Sequence, residues 1–415
     1  MDLFRQMDLF ERIAANGISS LSVTGMAKNC GKTTVLNYLI REGAAAQMAL
    51  GVTSAGRDGE KIDIVTGLPK PAIYVPDGCL VVTAAGTLRQ NGCECGCKRE
   101  CERERSSDGG CADGAGGGGG DYADVALLQQ TDFTTPLGPL VLGRVRRAGT
   151  IEIIGGNRFQ TAQAAIELLQ QNGALLTLVD GAANRVFLAA PALVEAVVLA
   201  TGAAVHPSLD KVLDETAFAL EVWNLPQTES TAVLKVAAAA TVANADANAT
   251  AAVAHVAADA RMAAAARVAA AADGPKTPVI FTGDWDPEEA DVPTVLGHEE
   301  NLAARVGMHA KALLLPGALT DGLLERLSAV RRRKLGGLEV VVQDPTRVLT
   351  SAVGLHRFQR RGGKVSVLRP VHMTAVTLNP YSPYWPGFDA CAFLERAAER
   401  FAPLPVYDVV LGRKG

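Results

Sequence analysis

The segment Thr24–Leu39, TGMAKNCGKTTVLNYL, decides how the rest of the chain is read. Its Gly31-Lys32-Thr33-Thr34 run has the chemistry of a phosphate-binding loop, whose usual pattern leaves four residues between the first glycine and Gly-Lys. Here five residues, Met26 to Cys30, separate Gly25 from Gly31. The context on both sides fits such a loop. Residues 18–24, ISSLSVT, form a strand-like run, and TTVLNYLIREGA (33–44) carries Val35, Leu36, Leu39 and Ile40 at helical spacing. A glycine turn between strand and helix lets backbone N–H groups face a polyphosphate, and the helix N-terminus adds partial positive charge. Lys32 then stands against the β and γ phosphates and the Thr33 hydroxyl is a Mg²⁺ ligand. Gly25, Lys28, Asn29, Cys30, Gly31 and Thr34 complete the candidate nucleotide cradle. The competing reading is a chance Gly-Lys-Thr in a chain with 42 glycines, which does not supply the flanking strand and helix.

Outward from this loop, the pattern alternates. AQMALGVTSAGRDGE supplies a second strand and a turn, GCLVVTAAG a third, LGPLVLGRVRRAGTIEIIGG a pair, and GALLTLVDG a strand ending in Asp180, after a helix at about 160–171. A further helix is expected at 191–201. Such alternation predicts an α/β fold with a mostly parallel sheet and flanking helices, of the phosphate-loop NTPase type. From Thr277 a second α/β unit resumes in PVIFTGD, AKALLLPGAL, LEVVVQD and KVSVLRP. The expected organisation is a nucleotide-binding domain over 1–230, an alanine-rich helical linker over 231–275, and a C-terminal α/β domain over 276–415.

Phosphoryl transfer needs an acidic group near the metal and a group that orients water. An apolar strand ending in Asp delivers a carboxylate to the sheet's C-terminal edge, so Asp180 is the candidate metal and catalytic carboxylate. Asp58 and Glu60, just past the second strand, are candidates to approach the Mg²⁺ or the water; the plainer alternative is a solvated turn. Asn184 and Arg185 lie either on the nucleotide or partner surface or in an ordinary loop. No Asn-Lys-x-Asp guanine motif occurs in the chain, which tilts the base from GTP towards ATP.

The remaining features exclude more than they assign. With 415 residues, 48% of them hydrophobic, the chain can bury a sizeable core. A formal net charge of −4 gives no broad footprint for nucleic acid or an anionic membrane. The N-terminal MDLFRQMDLFERIAANG reads as a short amphipathic helix and not as a signal peptide, which points to the cytoplasm. Five of the eight cysteines, Cys93, Cys95, Cys97, Cys101 and Cys111, crowd the glycine-rich stretch 91–121, read as a surface insertion. They either bind a soft metal or do not; their spacing holds no Cys-x-x-Cys pair. RRRK (331–334) reads as a solvated helix end.

The five-residue interval of GMAKNCGKTT resembles the loops of the dethiobiotin synthetase and cobyrinic acid synthase families, and KNCGKTT is similar to the loop of molybdenum-cofactor accessory GTPases. Four phrases taken together, VTGMAKNCGKTTVLNYL, GVTSAGRDGE, LVDGAANR followed by LATGAAV, and LNPYSPYWPGFD, resemble the reactivase subunit family that accompanies adenosylcobalamin-dependent lysine 5,6-aminomutase in lysine fermentation. The likeness covers 18–230 and 277 onward; the cysteine-glycine stretch and the alanine tract depart from it. It implies ATP-dependent rescue of an aminomutase whose cobalamin is damaged. The implied partners are that client and a second subunit resembling mismatch-repair ATPases. The superfamily resembled makes a homodimer possible. A small-molecule ligase or a cofactor-biosynthesis GTPase with the same loop is the alternative, and the LNPYSPYWPGFD loop is a candidate partner contact.

Overall fold

In a computed structural model the structure describes residues 8–54, 56–58, 72–90, 122–181, 186–244, 275–292, 294–330 and 335–415. The described residues form a mixed α/β protein with ten α-helices and a large, mostly parallel sheet. They divide into two units: 1–188, 197–212 and 374–415 in the first, and 189–196 with 213–373 in the second.

The first unit opens with the helix Leu9–Ala15, closed at its start by a reciprocal Asp8/Glu11 capping box. The strands follow as β1 (Ser20–Gly25), β2 (Leu50–Ser54), β3 (Arg57–Asp58), β4 (Ile73–Val75), β5 (Leu80–Ala84), β6 (Asp124–Thr135), β7 (Gly138–Arg147), β8 (Gly149–Ile151), β9 (Ile153–Ile154), β10 (Leu176–Asp180) and β11 (Ala196–Gly202). Every residue of β1, β2, β5, β10 and β11 is buried, the signature of strands covered on both faces. The helix Lys32–Ala45 turns Val35, Leu36, Leu39, Ile40 and Gly43 inward. Gly43 has no side chain for a packing reason: a Cβ there would lie 2.8 Å from Leu50 Cδ2. The helix Phe159–Gln171 covers β5 and β7 through Ala165, Leu168 and Leu169 against Leu80, Val82, Leu140 and Leu142.

The second unit holds β12 (Val279–Thr282), β13 (Asp286–Glu289), β14 (Ala312–Leu315), β15 (Leu319–Thr320), β16 (Glu339–Val342), β17 (Val348–Leu349) and β18 (Lys364–Val367). Its sheet runs β13-β12-β14-β16-β18, with β14, β16 and β18 parallel and β12 antiparallel to both neighbours. The alanine tract contributes here. The helix Thr231–Asn244 seats Val233 and Ala237 in a core with Val279, Phe281, Ala312, Leu314, Val341 and Leu368. Its described part is therefore a core element of this unit and not a linker; small side chains let a helix lie close on a sheet.

Three further departures from the sequence reading concern placement. The strands β19 (Met373–Asn379), β20 (Val406–Asp408) and β21 (Arg413–Lys414) complete a ten-stranded sheet of order β21-β20-β19-β11-β1-β10-β2-β5-β7-β6. The expected 276–415 domain is thus corrected: residues 374–415 belong to the first unit, where β19 sits beside β11 with almost every residue buried. Residues 196–202 are a strand and not a helix, because a seven-residue apolar run buried on both faces has no helical period to follow. The hairpin partner β6 was not foreseen; its twelve residues are largely exposed and do not alternate. No helix among the described residues is long and apolar enough to cross a membrane.

Candidate functional site

In the sheet order β1 lies between β11 and β10, and the chain passes from β1 to β2 on the β10 side. The crevice outside the carboxyl ends of such strands is where open α/β sheets hold ligands. At that edge the loop 26–31 leads from β1 into the helix Lys32–Ala45. Met26 N donates to Ala200 O of β11 at 2.9 Å, which ties the start of the loop to the neighbouring strand.

The loop is shaped by two residues in left-handed conformation, Asn29 at φ 62° and Gly31 at φ 89°. Gly31 is the N-cap of the helix and provides no side-chain cap, so the first N–H groups of the helix are left for another acceptor. Lys32 folds back across its own loop. Its Nζ donates to Ala27 O at 3.2 Å, and a Cβ on Gly25 would meet Lys32 Cδ and Cγ at 3.0 Å. Glycine at position 25 is what lets the lysine occupy the hollow of the loop. Lys28 is exposed, while Asn29, Thr33 and Thr34 are half-buried.

Cys30 faces the other way. It is 1% exposed and packs with Ala200 and Ala204, flanked by Met26, Ala27 and Val205. Burial pushes its thiol above the ordinary range, against smaller opposing effects of the Lys32 charge and a backbone bond at Ala27. Its side chain is a packing anchor for the loop, and only its main chain is available to a ligand.

Asp180 ends β10, level with Val23 of β1 and Ser54 of β2, and is 1% exposed. Gly181 follows it, its N–H donating to Val23 O at 3.1 Å; a Cβ there would lie 2.8 Å from the same oxygen. The carboxylate is thereby held at the sheet edge two residues from the end of β1, the strand that feeds the loop. Asp58 lies in β3, paired with Ile153 of β9, four residues past the end of β2. Glu60, Asn184, Arg185 and the cysteines 93, 95, 97, 101 and 111 lie outside the described residues, as does the run 331–334.

The structure adds residues that the spacing of the loop could not reveal. Asn379, the last residue of β19, donates from Nδ2 to Asn29 O at 2.7 Å, and Asn29 Nδ2 donates to the Tyr384 hydroxyl at 3.1 Å. Trp385 Nε1 donates to Ala203 O just past β11 at 2.7 Å. The aromatic and proline content of 380–388 marked a surface loop, but nothing local linked it to residue 29. No family model, no curated protein and no solved structure matches this chain.

Proposed function

We propose that this chain is a Mg²⁺-dependent nucleoside triphosphatase, with residues 25–34 as its phosphate loop and ATP as its nucleotide. The observation that carries the reading is the uncapped helix start at Gly31 with Lys32 folded over Gly25. A helix N-terminus left without a side-chain cap, beside a lysine in a glycine-lined hollow, suits a polyphosphate by both hydrogen bonding and charge. Thr33 and Asp180 are the groups that would hold Mg²⁺, with Glu60 as a further candidate ligand and Asp58 as a further candidate catalytic carboxylate from the sequence. The metal would neutralise phosphate oxygens during transfer. Lys32 binds the terminal phosphates, and the loop N–H groups orient them. Asp58 or Asp180 orients the attacking water. GTP is the alternative base.

The client follows from the sequence resemblance to the reactivase subunit of lysine 5,6-aminomutase. Hydrolysis would drive the conformational work of releasing damaged cobalamin, together with a second subunit resembling mismatch-repair ATPases. The test is phosphate release from ATP and from GTP with Mg²⁺, first alone and then with that second subunit and cobalamin-inactivated aminomutase. Stimulation coupled to recovered mutase activity supports the reading. Turnover that instead responds to a single metabolite, with no protein partner, would assign the chain to the ligase class sharing this loop.

A further inference from the structure

Asn379 is the residue on which the candidate loop leans. Three of its polar atoms are engaged: the backbone O accepts from Ala203 N at 2.9 Å, Oδ1 from Tyr381 N at 3.1 Å, and Nδ2 donates to Asn29 O at 2.7 Å. There is no slack around it. A Cβ on Gly31 would sit 3.3 Å from Asn379 Cβ, and a Cβ on Gly202 would sit 2.2 Å from Asn379 O. Tyr384 takes the other end of the same loop residue, accepting from Asn29 Nδ2, and its ring pairs with Trp385 at 5.4 Å between centroids. Asn29 is thus held by both its main chain and its side chain in a left-handed conformation, one that asparagine tolerates better than most residues other than glycine but that local contacts must still select.

We infer that Asn379 and Tyr384 are positioning residues for the nucleotide site: they clasp Asn29 and keep the phosphate loop in its binding shape before the nucleotide arrives. This rests on the reading of residues 25–34 as a phosphate loop. A loop ordered in advance does not draw its ordering cost from the affinity of the ligand. Breaking the clasp therefore weakens nucleotide binding and leaves the chemical step, carried by Lys32 and the carboxylates, in place.

Asn379→Asp keeps the size of the side chain and replaces the donor facing Asn29 O by an acceptor; Tyr384→Phe removes only the hydroxyl. The measurements are KM and kcat for Mg-ATP hydrolysis, the Kd for ADP, and Tm. With Asn379→Asp, KM and the ADP Kd rise about ten-fold and kcat stays within about two-fold; Tyr384→Phe raises KM about three- to five-fold. A fall in Tm with KM unchanged in Tyr384→Phe would reduce the contact to ordinary packing and overturn the inference, and should Asn379→Asp fail to fold, Tyr384→Phe decides alone. Lys32→Ala in the same assays separates the two claims. If that variant hydrolyses ATP like the parent, the nucleotide reading itself falls. If it is inactive while both clasp variants match the parent, only the clasp falls.

Discussion

The two units use the same local device, a strand that turns into a helix, and finish it differently. In the second unit the turns after β15 and β17 are closed by the protein itself. Thr320 Oγ1 accepts from Leu323 N at the head of the helix Asp321–Val330, and Ser351 Oγ accepts from Gly354 N at the head of Ala352–Arg360. The Asp321 carboxylate then accepts from Ser351 N at 3.0 Å, joining the two turns. In the first unit the turn after β1 ends on Gly31, which has no side chain to offer. A closed turn contributes stability, whereas one ending on glycine forgoes about a few tenths of a kcal/mol of capping and leaves its side-chain cap position open. On the proposed reading, the open turn of the first unit takes the phosphate and the two closed turns of the second unit are structural.

The contrast is broken most decisively at Lys32. Lys32→Ala lowers ATP hydrolysis about 10²–10³-fold if the open turn is a phosphate site; phosphate release by the purified variant reads this directly. Gly31→Ala is the next largest. Its φ of 89° and the 3.3 Å approach to Asn379 Cβ make any side chain strained, so unfolding in urea should show a loss of about 1–2 kcal/mol, with weaker nucleotide binding. Ser351→Ala removes a cap from a closed turn. It should cost about 1 kcal/mol in the same denaturation experiment and leave hydrolysis at the parent rate. Hydrolysis lost in Ser351→Ala would erase the division of roles.

The smallest expected effect is none at all. At pH 8 a thiol reagent should label exposed Cys391 and spare Cys30 and Cys79, both buried, with peptide mapping as the readout. The sign follows from burial, which raises both thiols, Cys79 to about 12, so that each stays protonated and unreactive while the fold holds. Cys30 labelling as fast as Cys391 would mean the loop opens away from Ala200 and Ala204.

The sequence carried the centre of the first unit and lost its edges. The run into Gly25, the helix periodicity of Val35, Leu36, Leu39 and Ile40, and the apolar strand closing on Asp180 are local patterns, and the structure has each where the pattern put it. What escaped is non-local. Nothing in MTAVTLN distinguishes a strand for its sequence neighbours from one for a sheet begun at residue 20, since a nearly all-buried strand advertises burial and not its partner. The run AVVLATG is equally mute between strand and helix. For the candidate site, the loop residues were legible and Asn379 was not, because a single asparagine at a strand end has no spacing rule. The alanine tract misled through composition: Val233 and Ala237, two small residues on one face, are enough to make its first part core.

The placement of β19 bears on how the molecule is made. Asn29 and Asn379 are 350 residues apart in the chain, which at a synthesis rate of about 5–20 residues per second separates them by roughly 20–70 s on the ribosome. For that interval the nascent protein has the loop and the helix behind it but not the asparagine that seats them, and once β11 has been made that strand lacks its neighbour β19. The ten-stranded sheet is finished late, by residues that emerge after the whole second unit has been translated.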